Sequence, residues 1–306
     1  MARTIFTEFS SDLIKSSGFS GNADFGHARA MDLRANIPLS TDKVTGIDLT
    51  HVIHSDMAAA KGGPPSGGGG GTGGGTTFAP YISGSADGTA GFDIKIEFVG
   101  TGWTQAYHDV FVAAADRWTA LIVGDLPDVS VRSKGKVTTV DDITITAELG
   151  QIDGLYGILG QAGPTAIRTN GSLPATAQMQ FDIVDVNAMD LATFTEVILH
   201  EMGHSLGFGS IWGQLGLSSN GVFTGTNANN EYHKLGGVGS IPIEQDGGSG
   251  TAGSHWDEET FNNELMTGYI NDGSNPLSAM TAAAFKDMGY VINLNYANWA
   301  DPYALA

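Results

Sequence analysis

LHEMGHSLGFGSI, Leu199–Ile211, is the stretch on which the reading of this chain turns. His200 and His204 stand four apart, and Leu191, Phe194, Val197, Ile198, Leu199, Met202 and Leu206 precede or interleave them at helical spacing. Asp190 can cap such a helix and Gly207 can stop it, so the pattern predicts a helix from about Leu191 to Leu206. Positions i and i+4 share a helix face, so the two imidazoles can converge on one metal ion. Glu201 is turned about 100° from His200, which sets a carboxylate beside that ion, within reach of a bound water.

A metal that does chemistry needs a third protein ligand and an open position. The compact H-E-x-x-H-x-x-G-x-x-H spacing puts that ligand at Ser210, and a serine hydroxyl is a poor zinc ligand. Two histidines lie further on. His233 stands in EYHKLGG beside Lys234, a charged flank that reads as solvent-facing, whereas His255 precedes Trp256 and the NELMTG segment carrying Met266, and His255 is the favoured ligand.

A helix with H-E-x-x-H, a terminating glycine, a delayed His-Trp and a methionine segment resembles the leishmanolysin-type metallopeptidases of the metzincin clan. In these an insertion separates the helix-ending glycine from the third histidine. The likeness runs through FTGTNANNEYHKLGG, IPIE, SHWDEETFNNELMTG and LSAMTAAAFKDMGY, roughly the last two-thirds of the chain. It implies zinc held by His200, His204 and His255, Glu201 as general base and acid, and Met266 as an apolar floor beneath the metal that does not ligate it. The chain has no cysteine, so it departs from the disulfide-rich leishmanolysins with their propeptide cysteine and is similar to their cysteine-free bacterial relatives.

The implied fold is α+β: a two-lobed, metzincin-like domain with a twisted mixed sheet and the active-site helix in one lobe, and a mostly irregular or helical second lobe. GGPPSGGGGGTGGG, from Gly62 to Gly75, has little to bury and reads as a linker, which divides the chain into an N-terminal segment (1–61), the linker (62–77) and a peptidase domain (78–306) with lobes of about 78–207 and 208–306. The first segment is a pro-region or an accessory module. Its His51 and His54 lack a following glutamate and read as surface or locally packed residues.

Within the domain, Phe92, Ile94, Ile96 and Phe98 alternate with charged residues as in a half-buried strand. Thr104 can cap a helix with an apolar stripe from Tyr107 to Ile122 that ends at Gly124. Further strands are expected at Val129–Arg132, Val140–Ala147, around Leu155–Leu159 and at Met179–Val184. The last is expected to form the sheet edge above the cleft, where an extended peptide would add as a strand. The stretch from Gly207 to Gly253 reads as an irregular insertion, and Ser278–Met288 as a capped helix stopped by Gly289.

At 306 residues and 41% hydrophobic, the chain can bury a sizeable core. A formal charge of −19 repels nucleic acid and anionic membranes, and no apolar run approaches the roughly 18 residues of a membrane span. Clustered carboxylates such as Asp182 and Asp185 admit calcium as a second ion. The N-terminus lacks the apolar core of a signal peptide, so an extracellular location would need another export route or a leader already removed. The functional expectation is a zinc-dependent endopeptidase acting on peptides or proteins through a zinc-bound water activated by Glu201. The alternative is a non-catalytic surface or adhesive module of the same fold.

Overall fold

A computed structural model describes residues 78–84, 91–133, 136–152, 154–155, 158–246, 251–271 and 273–305, together with the backbone of three N-terminal strands. Those strands are β1 (Thr4–Phe6), β2 (Asp32–Ala35) and β3 (Ile47–Thr50). The remainder of segment 1–61, with His51 and His54, and the glycine-rich linker lie outside the described residues.

Residues 78–205 form β4 (Tyr81–Ser83), β5 (Ile94–Gly100), α1 (Gln105–Leu121), β6 (Val129–Ser133), β7 (Lys136–Val140), β8 (Ile143–Gly150), β9 (Ile158–Ile167), β10 (Pro174–Asp182), α2 (Ile183–Val186) and α3 (Leu191–Ser205). Seven strands form a mixed sheet in the order β2-β3-β9-β10-β8-β5-β4, with β5, β8 and β10 parallel and β9 antiparallel to β10. Along β8, Ile143, Ile145, Ala147 and Leu149 face inward while Thr144, Thr146 and Glu148 face out, the period of two that a one-sided sheet requires. The inward face meets α1 and α3. Phe111 and Trp118 of α1, Phe181 of β10 and Phe194 of α3 are all fully buried there, with edge-to-face ring contacts at 5.5–6.1 Å among the three phenylalanines. The whole is α+β, as the resemblance led us to expect.

Three expectations are corrected. The Met179–Val184 strand is not a sheet edge, because β10 is hydrogen-bonded on both sides, to β8 and to β9. What places it inside is the length of β9, which runs ten residues through Gly160, Gly163 and Pro164 and folds back along almost all of β10. The expected Val140–Ala147 strand is two strands with a bend at Asp141–Asp142, where the Asp142 carboxylate draws in the backbone N–H groups of Asp93 and Leu126, each at 2.7 Å. The insertion after α3 is not irregular. It holds α4 (Trp212–Leu215), β11 (Ser218–Ser219), β12 (Val222–Phe223), α5 (Thr226–Lys234) and β13 (Ile241–Pro242), the three strands pairing as one small sheet.

The chain continues with α6 (Glu258–Phe261), α7 (Ala279–Met288) and α8 (Tyr296–Trp299). Its α7 has Ser278 as N-cap and Gly289 in the left-handed conformation as C-cap, as expected from sequence. No helix among the described residues is long and apolar enough to cross a membrane.

Candidate metal centre

The centre starts from α3. Asp190 accepts the Thr193 N–H at 2.8 Å and opens the helix, and Gly207, with φ of 101°, closes it. The register is held from behind by α1, whose Trp118 donates its indole N–H to the Leu199 carbonyl at 3.1 Å. His200, Glu201 and His204 all fall on the buried half of α3 and have no solvent exposure.

His255 arrives from a loop that crosses the end of the helix. The crossing is possible because residue 209 is glycine. A Cβ built there would sit 2.1 Å from the Ser254 carbonyl oxygen, and the backbone has φ of 70°, a region that favours glycine. The loop is tied down by the Glu244 N–H donating to the His255 carbonyl and the Gly253 N–H donating to the Glu244 carbonyl. Trp256 then donates its N–H to the Met266 carbonyl, which brings the methionine segment alongside.

Each of the three imidazoles donates Nδ1–H to a backbone carbonyl: His200 to Leu265 at 2.6 Å, His204 to Phe208 at 2.9 Å and His255 to Thr251 at 3.0 Å. A carbonyl can only accept, so these contacts fix the Nδ1–H tautomer and leave every Nε2 with a bare lone pair. The three Nε2 atoms form a triangle with sides of 2.8, 3.1 and 3.3 Å. Tetrahedral zinc with bonds of about 2.0–2.1 Å spaces its ligand atoms about 3.3 Å apart, so the set fits a small N-ligated cation, slightly contracted. Burial holds His200 and His204 well below the ordinary histidine pKa and, with the mutual repulsion of the rings, keeps them neutral, while burial brings His255 down to about 4. Neutral imidazole is the form that ligates a metal.

Met266 is fully buried and lies against α3 at Gly203, between His200 and His204. A Cβ at Gly203 would meet its Cε at 3.1 Å and its Sδ at 3.2 Å, so the glycine, which costs about 1 kcal/mol of helix propensity relative to alanine, is what lets the methionine approach. His233 sits on the exposed face of α5 with Nε2 against the Gly239 carbonyl at 2.7 Å, away from the centre. Ser210 turns its hydroxyl to the Phe208 carbonyl and takes no part. Asp182, considered for calcium, spends its oxygens on the backbone N–H groups of Ile152, Gly154 and Val184. The residues unforeseen from sequence are the three carbonyl acceptors and Gly209. Of these, only the glycine left a visible signal, as the second glycine of G-F-G.

Residues 157–301 match the model of the peptidase M8 family, described as leishmanolysin. The matched stretch contains His200, Glu201, His204, His255 and Met266. The chain is also similar to a leishmanolysin homolog of Crithidia fasciculata, 27% identical over 161 residues, which is 46% of this chain and 23% of that protein. The chain therefore spans well under two-thirds of the length of that relative.

Proposed function

We propose that this leishmanolysin-like chain is a zinc-dependent endopeptidase whose metal ligands are His200, His204 and His255 and whose general base is Glu201. The observation that carries the reading is the triangle of Nε2 atoms on three fully buried rings whose Nδ1 atoms all face backbone carbonyls, an arrangement that a bound cation satisfies. Zinc, when bound, supplies a Lewis acid that lowers the pKa of a coordinated water and polarises the scissile carbonyl.

The chain's own groups do the rest. The Nδ1–H to carbonyl bonds hold the rings in the ligating tautomer and orientation. Glu201 takes a proton from the attacking water and delivers it to the departing amine, so that the nitrogen leaves neutral. Met266 closes the floor without offering a competing ligand. With three histidines the site keeps an open position, whereas a structural zinc site is closed by a fourth protein ligand. The presence of Glu201 and that open position favour an enzyme over an adhesive module. Peptides or proteins are the proposed substrates, and the proposed location is extracellular, which fractionation of culture medium from cells checks.

The test is metal analysis of the purified chain by mass spectrometry, paired with cleavage of an unstructured protein before chelation, after chelation and after zinc return. One zinc per chain with cleavage lost and restored is the expected result. Cleavage indifferent to chelation would sink the mechanism. Zinc without any cleavage would favour the non-catalytic module.

A further inference from the structure

The mechanism above makes no use of Glu264, yet this glutamate is fully buried two residues before the methionine floor. Its Oε2 accepts the Met266 N–H at 2.7 Å. Its Oε1 accepts the Ser278 N–H at 3.0 Å and the hydroxyls of Ser278 and Thr281 at 2.6 and 2.5 Å. A carboxylate taken out of water is costly, and such groups persist where the hydrogen bonds they receive do something that an apolar residue cannot.

The Met266 N–H and the Leu265 carbonyl belong to one peptide unit, which is planar with its N–H and C=O directed oppositely. Whatever holds the N–H therefore aims the C=O. On the N–H side is Glu264 Oε2, and on the C=O side, at 2.6 Å, is His200 Nδ1. The preceding peptide is pinned as well, the Leu265 N–H donating to the Pro276 carbonyl at 3.0 Å. Burial raises the Glu264 pKa and the hydrogen bonds from Ser278, Thr281 and Met266 oppose that rise; in its ionised form the carboxylate also polarises the amide and makes its oxygen a stronger acceptor. The other oxygen reaches toward the third ligand, because Thr281 Oγ1, which donates to Glu264, accepts the indole N–H of Trp256 at 2.8 Å, next to His255.

We infer that Glu264 is a positioning residue for the metal centre, acting on His200 through a carboxylate–peptide–imidazole relay that spans the 265–266 peptide bond. It fixes the Nδ1–H tautomer of His200, aims its Nε2 and raises its donor strength, and it does so without touching the metal or the substrate. The inference rests on the metal-site reading given above.

A rival role is simple: Glu264 is a structural tie between the methionine segment and the start of α7. Two substitutions separate the two. In Glu264→Asp the shorter side chain keeps its charge and can still accept the N–H two residues on, the reach of an ordinary Asx turn, but loses α7. In Glu264→Gln the length is kept and bonds to Ser278 and Thr281 can be retained, but the charge on the Met266 N–H is gone. The relay requires the glutamine variant to lose zinc affinity by about 10–100-fold in chelator competition, with the aspartate variant within about threefold of wild type. A structural tie requires the reverse order.

A second readout needs no metal: in the metal-free chain, the nitrogen NMR signals of the His200 ring should shift toward mixed tautomers in Glu264→Gln and stay in place in Glu264→Asp. Unchanged ring signals and unchanged affinity in a folded glutamine variant would overturn the relay. Should the glutamine variant fail to fold, a tenfold loss of affinity in Glu264→Asp would overturn it equally. If wild type binds no zinc, the peptidase reading fails, while the ring-nitrogen comparison still decides the relay.

Discussion

Two clusters among the described residues bring three potential metal-ligating atoms together, and they differ in what surrounds them. One is His200, His204 and His255; the other is Asp93, Asp141 and Asp142, at the bend between β7 and β8. In the histidine cluster the Nδ1 atoms, which do not face the centre, are all engaged by carbonyls, so the three inward Nε2 lone pairs are left to ligate a cation. In the aspartate cluster the two Asp142 oxygens accept the N–H groups of Asp93 and Leu126, and Asp141 is exposed. A cation is also built in nearby. The buried Arg168 guanidinium donates to the carbonyls of Asp141, Asp142 and Pro174. Convergence of ligating atoms is thus a weak criterion. In the histidine cluster every outward ring nitrogen is engaged, and that is the ground for proposing the metal there.

The largest effect should come from the chemistry at the first cluster. Glu201→Gln should lower turnover by at least about 100-fold, and up to about 10⁴-fold, while leaving one zinc bound. His200→Ala should release the zinc. Kinetics and metal analysis on the same preparations check both, and full turnover by the glutamine variant would remove Glu201 from its role. On stability the clusters should part in the same direction. Zinc at 100 times its Kd should raise the unfolding free energy by about 2.7 kcal/mol, and millimolar calcium should leave it unchanged. A calcium-induced rise in Tm abolished by Asp142→Asn would break the comparison.

The histidine cluster was legible in large part because its signals are local. Asp190, the apolar spacing and Gly207 mark α3 to within a residue, and Trp256 with Met266 singles out His255 from His233. What escaped is set by partners distant in sequence. Whether β10 is an edge depends on how far β9 extends, and glycines and a proline inside β9 mask its alternation. Helix α5 has a polar sequence and no side-chain cap of its own. Its first N–H groups are met by the Asp287 carboxylate, which accepts from Asn227 and Ala228 at 2.9 and 2.8 Å. Glu264 likewise reads as one more charge in a polar stretch until α7 is folded onto it.

Gly209 sharpens the comparison from the backbone side, and the aspartate cluster has a close approach of its own at Gly84, whose φ is 104° and where a Cβ would sit 2.4 Å from Asp93 Oδ1 and 2.5 Å from the Phe92 carbonyl oxygen. Gly209→Ala sets a methyl group against the Ser254 carbonyl and asks alanine to hold φ of 70°. The cost should be at least about 2 kcal/mol of stability, from the backbone conformation and the displaced loop together. Because the loop carries His255, zinc affinity should fall with it. Chemical denaturation with and without zinc checks this, and a variant losing stability but retaining full affinity would mean that His255 is placed by other contacts.

The smallest effect lies in the second cluster and has a definite sign. Burial pushes the Asp142 carboxyl up to about 7, backbone N–H groups oppose the shift, and the charges of Asp141 and Asp125 add to it. An unfolded aspartate releases its proton near about 3.9. Between about pH 4 and 7 the folded chain therefore holds a proton that the unfolded chain has lost, and the stability this confers disappears as pH rises through 7. Asp141→Asn removes one of the charges that raise the value, so the variant should lose less stability than wild type between pH 5 and 8. Asp141 is exposed and its charge is screened, which limits the difference to about 0.5 kcal/mol. Urea denaturation at the two pH values checks it. Equal losses in both chains would mean that Asp141 does not act on Asp142, leaving burial and Asp125 to raise it.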